Sequence, residues 1–134
     1  MSLFTLDVDI SFGHCDAAGI AYYPNYFRWM DRCFHSFLKA RHGGHAALCQ
    51  RLGARGLGLI STDARFRSPG LDGDVLRLEM VLGEWGRKSL RVDYRGTVED
   101  RLVIEGEEVR GVFVEADGRI RAGDVAPLRE VIGG

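Results

Sequence analysis

No stretch of this chain approaches the roughly 20 consecutive apolar residues that a membrane-spanning helix requires, although 46% of its 134 residues are hydrophobic. The first ten residues carry Thr5, Asp7 and Asp9 and no basic cluster, which is not the composition of a signal peptide. Cysteine is scarce and odd in number. Cys15, Cys33 and Cys49 form no Cys-x-x-Cys pair, which disfavours a secreted disulfide scaffold and fits a reducing compartment, so the cytoplasm is expected. An excess of charge is missing as well: 18 basic residues face 19 acidic ones. Without a basic footprint, a nucleic-acid partner is not expected. There is no Gly-x-Ser-x-Gly elbow to carry a serine nucleophile. Gly56-Leu57-Gly58 lacks the third glycine of a dinucleotide fingerprint. His42, His45 and Cys49 lack a fourth ligand and lie in a glycine-rich segment, so no metal is expected there.

What is present reads as one domain over residues 1–134, long enough for one core and short for two. Leu6, Val8, Ile10 and Phe12 alternate with Asp7, Asp9 and Ser11, the period of a half-buried strand that ends at Gly13. A helix follows. Its apolar stripe runs through Tyr23, Tyr26, Phe27, Met30, Phe34, Phe37 and Leu38, while Arg28, Arg32, Ser36 and Lys39 take the other side. Pro24 sits where a first helical turn tolerates proline. His42 to Gly58 holds five glycines and reads as a loop with at most a brief helix. Strands are predicted at Leu59–Phe66, Val75–Leu82 and Ser89–Val98, with the pattern continuing through Leu102–Ile104 and Val109–Val114. Turn chemistry separates them at Ser68-Pro69-Gly70, Asp72-Gly73, Gly86, Glu99-Asp100 and Asp117-Gly118. The short connections favour an antiparallel sheet, giving an α+β domain in which the sheet wraps around one long helix. Exposed sheet edges make a homo-oligomer the natural expectation.

The segment from Phe12 to Tyr26 joins the first strand to the helix and reads Phe-Gly-His-Cys-Asp-Ala-Ala-Gly-Ile-Ala-Tyr-Tyr-Pro-Asn-Tyr. It resembles the signature of the 4-hydroxybenzoyl-CoA thioesterase family, whose members have the hotdog fold. The resemblance continues at Arg28-Trp29-Met30-Asp31, Asp74-Val75-Leu76 and Glu84-Trp85-Gly86-Arg87-Lys88-Ser89, and so spans most of the chain. It implies a hydrolase of acyl-CoA thioesters, with coenzyme A as part of substrate and product and no separate cofactor.

Asp16 lies in the turn between strand and helix among the small residues Cys15, Ala17 and Ala18, which leave room for a ligand. A carboxylate there can attack a thioester carbonyl directly or deprotonate a water that does so. An aspartate before a helix can also serve only as a turn or cap residue. The resemblance implies the catalytic role. It also implies that the backbone amide of Tyr23 polarises the thioester carbonyl; Pro24, next in the chain, has no N–H to offer.

Asp31 falls at the border of the helix stripe, and a carboxylate there needs a partner. The resemblance implies that it accepts a hydrogen bond from a ring hydroxyl of the substrate. An ion pair with Arg28 or His35 on the same helix is the alternative. Arg87 and Lys88 form a basic pair at a sheet margin, able to meet coenzyme A phosphates or simply to stand in solvent. Ser89 matches a family serine near the substrate. Two departures stand out: Gly86 occupies a position where relatives often carry arginine, with Arg119 and Arg121 as substitutes, and His14 replaces an acid close to Asp16. Aryl-CoA hydrolysis is therefore the leading expectation, ahead of a short- or medium-chain aliphatic acyl-CoA thioesterase and of a non-catalytic acyl-CoA binding module.

Overall fold

A computed structural model describes residues 2–133. The chain opens with strand β1 (Phe4–Asp9) and a single 3-10 turn at Phe12–His14, then forms the long helix α1 (Pro24–His42) and the short helix α2 (His45–Leu52). Five strands follow: β2 (Gly56–Phe66), β3 (Val75–Trp85), β4 (Leu90–Val98), β5 (Arg101–Ala116) and β6 (Arg119–Gly123), and a last helix α3 (Ala126–Ile132) closes the chain. Every strand pairing is antiparallel, in the order β1-β3-β4-β5-β2, with β6 paired to the far end of β5.

Helix α1 begins with Pro24 at its first position and ends at Gly43, whose φ of 79° gives the left-handed cap that favours glycine. Its buried residues are Tyr26, Trp29, Met30, Cys33, Phe34, Phe37 and Leu38. Burying one such side chain is worth about 1.5–3 kcal/mol, against helix-propensity differences of at most about 0.7 kcal/mol per ordinary residue. Burial of this face therefore decides the helix. It packs across the sheet from β1, where Phe4 meets Phe37 edge-on at 5.9 Å, to β5, where Gly106 leaves room for Met30. This is the expected α+β hotdog arrangement of an antiparallel sheet around a central helix.

The differences from the sequence pattern are local. β1 stops at Asp9 and Phe12 is 81% exposed, because the Ser11 N–H donates to His14 Nδ1 at 3.0 Å and so leaves the ladder for a tight turn. Tyr23 is exposed, as it precedes the helix, whereas Trp29 and Cys33 join the buried face. Trp29 is covered by the rings of His14 and Tyr26, at 5.1 and 5.2 Å. The predicted loop after His42 contains α2, and β2 starts at Gly56 rather than Leu59. The two apolar runs near Leu102 and Val109 are one continuous strand, β5. Arg87 and Lys88 lie in the bend before β4 and not within it.

Candidate active site

Asp16 sits in a small closed loop. Cys15 and Ala21 pair across its neck, the Asp16 N–H donates to the Ile20 carbonyl at 3.0 Å, and the Gly19 N–H returns to the Asp16 carbonyl at 2.9 Å. Gly19 has φ of 78°, a conformation that a side chain would strain. The Ala18 N–H donates to Asp16 Oδ1 at 2.8 Å. That is a side-chain-closed turn and not a helix cap, since α1 starts only at Pro24. The loop pins one carboxylate oxygen, while Oδ2 has no partner among the described residues and the side chain faces solvent.

The other end of this segment is tied to the helix start. The His14 carbonyl accepts both the Tyr22 N–H and the Asn25 side-chain amide, each at 2.8 Å. His14 thus serves the turn and the Trp29 contact through its backbone and ring. Among the described residues, nothing accepts the Tyr23 N–H. It lies at the positive end of α1, where a developing anion is favoured. A cleft of about 450 Å³ opens beside it, lined by Ile20, Tyr23, Tyr26, Phe66 and Pro69. Tyr26 fixes the cleft wall by accepting the Gly70 N–H at 3.2 Å, and burial first of all raises its phenol above the ordinary value.

Asp31 lies two turns further along α1, and its principal partner is a residue that sequence reasoning missed. Arg110 on β5 donates from Nη2 to Asp31 Oδ1 at 2.8 Å; His35 Nε2 is 3.5 Å from the same oxygen, and Arg28 turns instead to Asn25. Arg110 is 3% exposed and its buried neighbour Glu108 only 1%. The guanidinium forks onto Glu108, Nε to Oε1 and Nη2 to Oε2, both at 3.0 Å, and Nη1 donates to the Leu57 carbonyl at 3.2 Å. Tyr94 adds its hydroxyl to Glu108 Oε1, and Phe34 stacks 4.2 Å beneath the guanidinium carbon. Burial opposes the Arg110 charge, but Glu108 and the hydrogen bonds to Glu108 and Asp31 outweigh it and hold the group above its usual value. Burial, reinforced by Glu108, raises the Tyr94 phenol and takes the Cys33 thiol up to about 12. No buried side-chain nitrogen or oxygen among the described residues lacks a partner. The signal was available in the strand alternation: Ile104, Glu108, Arg110 and Val112 share the inward face of β5, so both charges fall in the core.

Asp31, His35, His45 and Arg110 border a second cleft of about 290 Å³, floored by the Gly56–Leu59 stretch of β2. His45 Nε2 accepts the Leu57 N–H at 3.0 Å, which fixes how α2 meets β2. Burial, then His35 and Arg110, lower the His45 pKa. Arg87 and Lys88 are exposed in the β3–β4 bend, and Ser89 is partly buried and closes it by accepting the Gly86 N–H at 2.8 Å through its carbonyl. Leu90 pairs opposite Arg110, so this bend enters the sheet beside the anchor of Asp31. The fold thus keeps Asp16 and Tyr23 on the one loop between β1 and α1, with Tyr23 and not Asp16 among the residues lining the cleft, and brings the Arg87–Ser89 bend to the stretch of β5 that anchors Asp31. The groups stand at opposite ends of β2, since the Tyr23 cleft reaches Phe66 and the Asp31 cleft ends at Leu59, roughly 20 Å of strand away.

Residues 18–105 match the family model described as "Thioesterase superfamily". The chain belongs to the thioesterase superfamily. It is 35% identical over 130 residues to the 4-hydroxybenzoyl-CoA thioesterase of Pseudomonas sp. strain CBS-3, covering 90% of each chain. It is also 29% identical over 131 residues to the 1,4-dihydroxy-2-naphthoyl-CoA hydrolase of Synechococcus sp. strain CC9311, covering 92% of this chain and 84% of the other. The solved structure of the Pseudomonas 4-hydroxybenzoyl-CoA thioesterase superposes with a TM-score of 0.80 at 30% identity, over 95% of this chain and 96% of that one. The hotdog fold and enzymatic nature expected of this thioesterase therefore hold. No helix among its described residues is long and apolar enough to cross a membrane.

Proposed function

We propose that this thioesterase hydrolyses an aryl-CoA thioester of the hydroxybenzoyl type to the free carboxylic acid and coenzyme A. The observation that carries the reading is the unclaimed Tyr23 amide beside an aromatic-lined cleft, on the same strand-to-helix loop that holds Asp16 with one carboxylate oxygen pinned and the other free. Asp16 Oδ2 either attacks the thioester carbonyl carbon, expelling the coenzyme A thiolate and leaving a mixed anhydride that water cleaves, or takes a proton from the water that attacks. In both routes the Tyr23 N–H meets the oxygen on which negative charge develops. Asp31 reads a hydroxyl on the ring, Arg87 and Lys88 hold coenzyme A phosphates, and Ser89 contributes a hydroxyl near the substrate. The chemistry draws on no cofactor and is assigned to the cytoplasm.

A complete site on this reading needs two copies. β2 is an edge strand of 11 residues with Leu59, Ile60 and Phe66 exposed. Pairing it antiparallel with its own copy about a twofold axis brings the Phe66 end of one chain to the Gly56 end of the other. Asp16 and Tyr23 of one copy then face Asp31 and the Arg87–Ser89 bend of its partner, in a dimer or a tetramer of such dimers.

The test is thiol release from 4-hydroxybenzoyl-CoA, benzoyl-CoA and a short aliphatic acyl-CoA, with wild type and Asp16→Asn measured together. Rapid release from the aryl substrates and a loss of roughly a hundredfold or more in the variant are expected. Faster turnover of the aliphatic substrate reassigns the acyl group, and no release from any of the three points to a binding module.

A further inference from the structure

Asp31 is an unusual place for a substrate-reading carboxylate, since it lies on a helix surface with its side chain 48% exposed. A carboxylate so exposed ordinarily samples several rotamers and forms weak, water-screened contacts. Here it is held from beneath. Arg110 Nη2 reaches Asp31 Oδ1 from the floor of the sheet, and Oδ2 has no protein partner among the described residues. Arg110 itself cannot shift. Its fork on Glu108, its bond to the Leu57 carbonyl and the Phe34 ring under its plane use three N–H directions and one face, and the bond to Asp31 uses a fourth N–H. Glu108 is locked in turn by the Tyr94 hydroxyl.

The charges of the assembly decide what it recognises. Arg110 and Glu108 cancel in the core, which leaves the negative charge of Asp31 as the net charge presented to the 290 Å³ cleft. His35 is the nearest remaining basic group, 3.5 Å from the oxygen already bonded to Arg110. His45 directs Nε2 to the Leu57 N–H and so does not compete for Oδ2. The free oxygen is therefore an oriented acceptor for a neutral donor.

We infer that Arg110, fixed by Glu108 and Tyr94, is a specificity-determining positioning residue that holds Asp31 so that its free oxygen accepts a hydrogen bond from a hydroxyl on the acyl ring. The inference rests on the proposed role of Asp31 and adds the residue that makes this role possible. Arg110 touches no reacting atom. It acts by fixing the carboxylate, and favours rings bearing a donor over rings bearing none.

The experiment compares kcat/KM for 4-hydroxybenzoyl-CoA and benzoyl-CoA in wild type, Asp31→Asn, Arg110→Gln and the Asp31→Asn, Arg110→Gln double variant. The ratio of the two substrates is read on the folded fraction alone, so lost stability cancels from it. The expected result is a fall in the ratio of at least about tenfold in each single variant, with no further fall in the double variant, as two residues acting through one contact require. Where Arg110→Gln does not fold, the Glu108→Gln, Arg110→Gln pair removes both buried charges and is held to the same expectation. If Asp31→Asn lowers the ratio and the Arg110 variants leave it unchanged, Arg110 is merely structural and the inference fails alone. If Asp31→Asn itself leaves the ratio unchanged, the role of Asp31 fails and the inference goes with it.

Discussion

Among single residues, the sharpest consequences lie in the buried group beneath Asp31. Replacing Tyr94 by phenylalanine strips Glu108 of one of its donors in a site that water does not reach. Unfolding in denaturant should show a loss of about 1–3 kcal/mol, and no loss would mean that the hydroxyl is dispensable to the carboxylate. His45 gives a pH signature. Its folded pKa is lowered, by burial first and then by His35 and Arg110, so the unfolded chain takes up the proton before the folded one does. The folded state consequently loses stability as pH falls below about 6.5, the ordinary histidine value, until the lowered folded value is passed. Melting temperatures between pH 7.5 and 5.5 should fall less steeply in His45→Gln than in wild type. The sequence revealed why Asp31 needs a partner but not which one. Arg28 and His35 are neighbours on the helix, whereas Arg110 is 79 residues away and meets Asp31 only through the packing of α1 on β5. Asp16, in contrast, was legible because its surroundings are local: the turn that pins it spans four residues of continuous chain.

The secondary-structure elements were legible in proportion to their periodicity. α1 and the β3–β4 hairpin follow their apolar patterns closely, since a helix stripe or strand alternation records which face meets the core. β1 did not, because a histidine side chain diverts its backbone at Ser11. β6 and α3 were not anticipated at all. Their signals were short: Asp124 Oδ1 accepts the Ala126 N–H at 2.8 Å, Pro127 follows in the first turn, and Leu128 and Ile132 are the two buried residues. The apolar pattern of β5 falls into two pieces because Gly106 interrupts it. The glycine marks a close approach and not a turn, for a Cβ at that position would stand 2.3 Å from Met30 Sδ. Gly106→Val should therefore push α1 off the sheet and cost about 1–3 kcal/mol in unfolding free energy. An unchanged stability would show that Met30 can move aside.

For the whole molecule, the open edge at β2 matters most. Its 11 residues offer unpaired backbone groups together with Leu59, Ile60 and Phe66, a combination that invites a second sheet. Sedimentation of the wild type should give at least two copies per particle. The Ile60→Lys substitution places a charge on the proposed seam, and should shift the particle toward one copy and reduce turnover in parallel, because each proposed site draws on both chains. A variant that sediments as a monomer and keeps full activity would place the whole site within one chain. None of this was legible in the sequence beyond the presence of sheet edges. Which strands form the edges depends on the strand order, which is set by pairings across the whole chain.

The ion pair on β5 also constrains how this protein can change over generations. Removing either Glu108 or Arg110 alone strands a charge in the core, at a cost of about 3–5 kcal/mol, a large share of the 5–15 kcal/mol that keeps a typical domain folded. Exchanging both for apolar residues of similar volume can be close to neutral. The two positions are thus separated from their apolar alternatives by a valley that single substitutions cross only with a large loss of stability. A library meant to retune this end of the pocket has to vary the two codons together, since one-at-a-time selection will report both sites as fixed.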